Sequence, residues 1–371
     1  MPFELQIDKD PIHFVQQIID GQIEIASAIQ EVFSFQLRHN TFYRHFSEAL
    51  FPELSGYRQS SSLRFPIDQI PLIPIRAFKE LDIVLDEAYM AKLGLNPFEG
   101  LKFKSSGTSS MTQSTHYVPV SDLYSRSVKS GFALAYPKRS SSMESGILLP
   151  VLSYLPGYRD NPFSSLITMM EMLETQSTDL DSKSNSHSRS QILSDPKAFI
   201  HTLRELREPV ILFGAAFGLL DVIEYNQGSH PLKLPTGSIL IETGGMKTHR
   251  REIQKSELRK LLSDGFGLAV EQIHSEYGMC EMLSQSYSKG DDWFTPSPWL
   301  LFQIRHPDNP LEALSPGQRG KLGYIDLCNV FSCPFVLTDD EAELNDYGQI
   351  RLYGRWPGEE ARGCNFLIDR D

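Results

Sequence analysis

"VILFGAAFGLL", residues 210–220, is the most apolar stretch of the chain, and Asp221 ends it. Its length decides the class of fold. A membrane-spanning helix needs about 20 apolar residues, and this run is far shorter. It reads instead as a buried strand running into a turn or helix. Downstream, strand-like runs recur at 238–242, 322–327, 334–338 and 349–353, after a first one at 209–213. The helical stretch "SELRKLLSDGFG", residues 256–267, lies among them, and Gly265 and Gly267 mark its stop. "ELNDYGQIRLYG", residues 343–354, reads as a hairpin turning at Asn345–Gly348. Helices alternating with short buried strands give an α/β fold.

Upstream, residues 11–50 carry apolar residues at helical spacing with few breakers besides Gly21, which predicts N-terminal helices. In "DQIPLIPIRAFKELDIV", residues 68–84, Pro71 and Pro74 forbid a long helix and predict an extended crossing segment. Residues 145–172 are mixed apolar and belong to a core. "QSTDLDSKSNSHSRSQ", residues 176–191, is almost wholly polar and predicts a mobile loop. The organisation expected is an N-terminal helical region over 1–65 followed by one domain over 66–371.

Composition narrows the function. The 371 residues carry a net charge of −12 and a mean hydropathy of −0.26. That charge argues against general affinity for nucleic acid or anionic membrane, which want a basic surface. A small anionic substrate stays open, because a local site can oppose the global charge. The start, "MPFELQIDKD", has no basic region ahead of an apolar run. The four cysteines, at 280, 328, 333 and 364, form no C-x-x-C pair and no disulfide framework. The expectation is a cytoplasmic protein without a membrane span. A G-x-S-x-G elbow is missing, "GFGLAV" lacks the third glycine of a dinucleotide fingerprint, and "GQRGK" is too short for a Walker loop.

Five segments then carry chemistry. In "FKSSGTSSMTQSTHY", residues 103–117, hydroxyls surround Gly107. Glycine permits the positive φ that aims backbone N–H groups inward, and Ser and Thr add donors, as a phosphate loop requires. A plain surface loop has the same composition. In "IETGGMKTHRREI", residues 241–253, paired glycines end a strand, where backbone can approach a flat ring or simply turn. In "SEYGMCE", residues 275–281, Tyr277 suits stacking on a base and Glu281 suits a Mg²⁺ ion; a core tyrosine and a solvated glutamate fit as well. In "LTDDEAEL", Asp339 and Asp340 follow a strand, where a carboxylate can accept both hydroxyls of a ribose or simply sit in an acidic turn. "YGRWPGEEARGCN", residues 353–365, is the fifth.

Their order and content resemble the adenylate-forming superfamily of acyl-activating enzymes. The match is closest to the acyl-protein synthetase family (LuxE-type), with the phenylacetate–CoA ligases as nearer cousins than the general acyl-CoA synthetases. "IPLIPIRAFK", residues 70–79, looks like the family's Pro-rich segment, and "ARGCN" like its C-terminal motif. The likeness spans about residues 65–365. It implies a large adenylate-forming domain of mixed sheets flanked by helices, without the small mobile C-terminal domain of larger relatives.

The resemblance also implies roles. Ser105, Ser106, Gly107, Thr108 and Ser109 would hold the ATP phosphates. Gly244 and Gly245 would border the adenine, Tyr277 would stack on it, and Glu281 would bind Mg²⁺. Asp339 would take the ribose hydroxyls with Arg355 as a second contact, and Cys364 would accept the acyl group. Arg362, two positions before Cys364, would favour its thiolate if the fold brings them together. The chain departs from the pattern at Ser110, where many relatives carry glycine, and in lacking a loop lysine over 111–114. The basic run of Lys247, His249, Arg250 and Arg251 either compensates or is a solvated helix start.

The leading reading is an ATP-dependent acyl-protein synthetase. It activates a carboxylic acid, a fatty acid first among them, holds it on Cys364 and passes it to a partner protein such as a reductase or carrier. Two other readings stay open: a ligase handing an aryl or short acid to CoA or a carrier protein, and a non-catalytic nucleotide-binding scaffold.

Overall fold

The structure is a computed structural model that describes residues 6–59, 64–105, 113–137, 149–158, 161–178, 191–227, 230–244 and 253–356. The helical spacing near the N-terminus becomes α1 (Gln6–Lys9), α2 (Pro11–Ile19), α3 (Ile25–His39) and α4 (Thr41–Leu50). Local chemistry sets their ends. Asp10 caps α2 by accepting the His13 N–H at 2.9 Å, with Pro11 at the first helical position. Asn40 separates α3 from α4: its side chain accepts from the Tyr43 N–H at 3.0 Å and donates to the Ser332 carbonyl at 3.0 Å. That second bond ties the helices to a distant loop.

The Pro-rich segment is extended only briefly. It gives β1 (Ile73–Pro74), then short helices α5 (Ala77–Glu80) and α6 (Glu87–Lys92). A hairpin of β2 (Leu101–Lys104) and β3 (Thr115–Val118) follows, then α7 (Ser121–Ala135). Next come β4 (Val151–Tyr154), α8 (Ser165–Thr178), β5 (Gln191–Leu193) and α9 (Pro196–Glu205). Most of the polar stretch at 176–191 lies outside the described residues. The apolar run divides as its composition implies: β6 (Ile211–Ala215), with every residue buried, passes directly into α10 (Ala216–Tyr225). Then follow β7 (Ile239–Thr243), α11 (Lys255–Phe266), β8 (Ile273–Tyr277), β9 (Ser286–Lys289) and β10 (Thr295–Pro296). The chain continues through β11 (Leu300–Arg305), β12 (Arg319–Asp326), β13 (Phe335–Leu344) and β14 (Ile350–Arg355). Of the two glycines expected to stop α11, Gly267 does so at φ +64°, where a side chain would be strained. Gly265 lies inside the helix, where a Cβ would collide with Ile223 of α10.

Three sheets result among the described residues. The largest runs β10-β9-β8-β7-β6-β4-β5; its strands from β8 to β5 are parallel, and β9 and β10 are antiparallel. The second runs β1-β13-β12-β11, with β14 also on β13. Here β1 and β14 share one edge of β13: β1 pairs with Val336 and Leu337, β14 with Asp340 to Leu344. Asp339 falls between them. The third sheet is the β2–β3 hairpin. One core cluster joins the N-terminal helices to both large sheets. A second lies between the parallel strands and α9, α10 and α11. Sheets flanked by helices bear out the α/β class read from the sequence. Among the described residues no helix is long and apolar enough to cross a membrane.

Candidate active site

The hydroxyl loop springs from the β2–β3 hairpin. Its base is closed by Ser105 and Ser114. The Ser105 N–H donates to the Ser114 carbonyl at 3.2 Å, and the Ser114 N–H donates to the Ser105 hydroxyl oxygen at 3.0 Å. Gln113 Nε2 donates to the Ser105 carbonyl at 2.9 Å. Ser106, Gly107, Thr108 and Ser109 lie outside the described residues.

From this base the Ser114 hydroxyl donates to Oε1 of Glu281, 167 residues away. The neighbouring Cys280 thiol donates to Oε2 at 3.0 Å. Glu281 is 4 % exposed. Its backbone carbonyl accepts from the Tyr324 hydroxyl and from Asn329 Nδ2, each at 3.0 Å. The turn after β8 is therefore fixed on both sides, and two neutral donors hold the carboxylate. Among the described residues no group of three or more His, Cys, Asp or Glu is placed to hold a metal ion. A lone carboxylate still fits Mg²⁺, which is commonly held by one or two carboxylates with phosphate oxygens and water.

Tyr277 ends β8 and is 1 % exposed. Its hydroxyl donates to Asp340 Oδ2 at 2.7 Å. Its ring packs against Phe294 and Phe302, with centroids 6.1 and 6.3 Å away. Burial, and then the Asp340 charge, push the phenol well above its ordinary pKa. Arg355 faces Asp340 as its cross-strand partner, with Nε 3.0 Å from Oδ1, an ion pair without hydrogen-bond alignment. Burial raises the Asp340 carboxyl, and Arg355 opposes the rise.

The two aspartates part company here. They lie within β13 rather than after it, so strand alternation turns them to opposite faces. Asp340 joins Tyr277 and Arg355. Asp339 meets Arg76, whose Nε is 3.4 Å from Oδ2 and whose side chain is half exposed. The Asp339 carbonyl accepts from the Trp356 N–H at 2.9 Å. Arg76 and Ser114 are thus residues that the sequence reading passed over, and Asp340 is one that it named beside Asp339 without giving it a role of its own. The period-2 alternation of "VLTDDEA" holds the signal for Asp340, once the strand is known to continue through it. Nothing local marks Arg76 or Ser114.

Gly244 directly follows β7 at φ +74°. Gly245, the basic run from Lys247 to Arg251, Arg362 and Cys364 lie outside the described residues. Cys280, Cys328 and Cys333 are buried and in no disulfide. Burial raises the Cys328 and Cys333 thiols.

Two further titratable groups are buried nearby. Glu276 on β8 accepts from the Thr243 hydroxyl, and burial raises its carboxyl to about 7. The Thr243 bond opposes this rise and the Glu242 charge adds to it. His116 on β3 is fully buried, and neither ring nitrogen has a hydrogen-bond partner. Burial lowers its pKa to about 4, against the influence of Asn329.

Known proteins agree with this architecture. The chain resembles solved structures of 2-hydroxyisobutyryl-CoA ligase. One, in the postadenylation state with 2-HIB-AMP, aligns with TM-score 0.60 and 13 % identity over 89 % of this chain and 67 % of the ligase. An open conformation of that ligase, in complex with 2-HIB-AMP and CoA, aligns with TM-score 0.59 and 13 % identity over 89 % and 69 %. The chain thus spans about two thirds of the ligase's length, and at this identity the likeness concerns the fold. No curated protein matches the sequence. Residues 179–369 match the family described as acyl-protein synthetase, LuxE. That match covers more than half of the chain, and its fold is that of adenylate-forming ligases: the protein belongs to the acyl-protein synthetase family.

Proposed function

We propose that the protein activates a carboxylic acid with ATP as an acyl-adenylate, transfers the acyl group to Cys364, and delivers it to a partner protein. One observation carries this reading. The hydroxyl loop and the turn after β8, far apart in sequence, meet through the Ser114–Glu281 hydrogen bond. A phosphate-binding loop and a carboxylate for a cation must share a site if phosphates are to react there.

A carboxylate attacks poorly, because charge builds on the phosphates as it approaches. Donors on the loop residues Ser105 to Ser109 would offset that charge. Mg²⁺ held at Glu281 would supply Lewis-acid stabilisation there. Gly244 and Tyr277 would border the adenine. Asp339 is the ribose acceptor first expected; the Tyr277–Asp340–Arg355 grouping supports Asp340 as a second candidate. The acid's oxygen bonds to the α-phosphorus and pyrophosphate leaves. The thiolate of Cys364 then bonds to the acyl carbon and AMP leaves.

Acid-dependent exchange of labelled pyrophosphate into ATP, run over a panel of fatty, short and aryl acids, tests the reading. Exchange with at least one acid is expected. No exchange with any acid, together with intact ATP binding, would favour the scaffold. Exchange followed by acyl transfer to free CoA without an acyl-enzyme would favour the ligase that uses CoA directly.

A further inference from the structure

The carboxyl edge of the seven-stranded sheet holds an aromatic feature that the nucleotide assignment leaves unused. After β4 the chain turns through Pro156, Gly157 and Tyr158 onto the first turn of α10. The approach is close: a Cβ on Gly218 would stand 2.7 Å from Pro156 Cγ. The Tyr158 ring stacks on Phe217, with centroids 6.2 Å apart and planes at 26°. Its hydroxyl lies 3.8 Å from the point a Cβ on Gly244 would occupy. The strands β4, β6 and β7 are successive neighbours, so Tyr158 reaches from the end of the first, past the second, to the third. Tyr158, Phe217 and Gly244 are all half-buried. Phe217 packs against both core clusters, which anchors the pair.

Open parallel sheets bind ligands in the crevice at the carboxyl ends of their strands. Of the nucleotide residues, Gly244 directly follows β7 and Tyr277 ends β8. The acid's carboxylate has to meet the α-phosphorus, so its apolar remainder shares the crevice. The side left to it runs toward β6 and β4, where Phe217 and Tyr158 stand. Aromatic walls supply large apolar contact in such pockets. We infer that Tyr158 and Phe217 are specificity-determining residues: the acid's hydrocarbon part packs on Phe217, and Tyr158, closing toward Gly244, limits its length. This inference rests on the proposed acid activation.

The test is calorimetric binding of three probes to the full chain: linear alkanoates of increasing length, benzoate, and AMP. Phe217→Ala is expected to weaken acid binding about tenfold or more, as loss of a large apolar contact does, with AMP affinity unchanged. Phe217→Leu serves if that variant fails to fold. Tyr158→Ala is expected to move the preferred alkanoate to a longer chain. Tyr225→Ala, exposed at the far end of α10, is the control and should bind all probes as the wild type does. Acid preference unchanged in both wall variants would overturn the inference. So would a wild type that binds no acid of the panel, or a loss of AMP affinity as large as the loss of acid affinity. A wild type that binds acids through this wall but neither binds AMP nor exchanges pyrophosphate would leave the inference standing and sink the adenylation reading.

Discussion

Tyr277 and Asp340, which end up in different sheets, are joined by a 2.7 Å hydrogen bond from the phenol to the carboxylate. This bond fastens the parallel sheet to the second sheet beside Arg355. Tyr277→Phe removes it and leaves a buried carboxylate with one donor fewer. A bond to a charged acceptor is worth about 1.5–3 kcal/mol, and chemical denaturation should show a loss of that order. Unchanged stability would mean that the two sheets are held together elsewhere.

Ser114 links the hydroxyl loop to Glu281, so under the proposed function the two should act together. Glu281→Gln is expected to lower pyrophosphate exchange about a hundredfold, with folding intact by circular dichroism. Ser114→Ala keeps the carboxylate but frees it, and should raise the Mg²⁺ concentration needed for half-maximal exchange. Normal exchange by Glu281→Gln in limiting Mg²⁺ would remove Glu281 from the metal site.

Stability should carry a pH signature from Glu276. Its carboxyl titrates near 4.5 when unfolded and at about 7 when folded. Between those values the folded state holds the extra proton, so stability falls as pH rises through that window. His116 acts oppositely: its folded pKa of about 4 lies below the unfolded 6.5, so its contribution is lost as pH falls. The difference between wild type and Glu276→Gln isolates the first effect. Denaturation midpoints taken from pH 4.5 to 7.5 should show the wild type losing ground to the variant. A constant difference would place Glu276 in a wetter setting.

Cys364→Ser separates the two halves of the proposed reaction. Acid-dependent pyrophosphate exchange should survive, and the acyl mass increment on the intact protein should disappear. Changes at Cys328 and Cys333, buried and without a role in the proposed reaction, should leave the increment in place. An increment that persists in Cys364→Ser would move the thioester to another residue.

The sequence by itself determined the α/β class and the strands β6, β7, β12, β13 and β14. Runs such as 210–220 are apolar on both faces, and parallel strands covered by helices require that. It marked the turn at Asn345–Gly348, because Asn345 bonds its own turn: its side-chain oxygen accepts from the N–H groups of Tyr347 and Gln349. It also singled out "SEYGMCE" and "LTDDEAEL", two segments that meet in the structure through Tyr277 and Asp340. It missed β8, because His274, Ser275 and Glu276 look solvent-facing until Tyr136 and Thr243 partner two of them. Only the tertiary structure decided which aspartate faces Tyr277. The choice depends on how far β13 runs and on β1 and β14 dividing its edge, which are non-local pairings. Ser114 at Glu281, Arg76 at Asp339 and Tyr158 at Gly244 likewise depend on chain crossings with no local signal. A side chain's type and spacing fix what it can bond, and the packing of remote segments fixes what it meets.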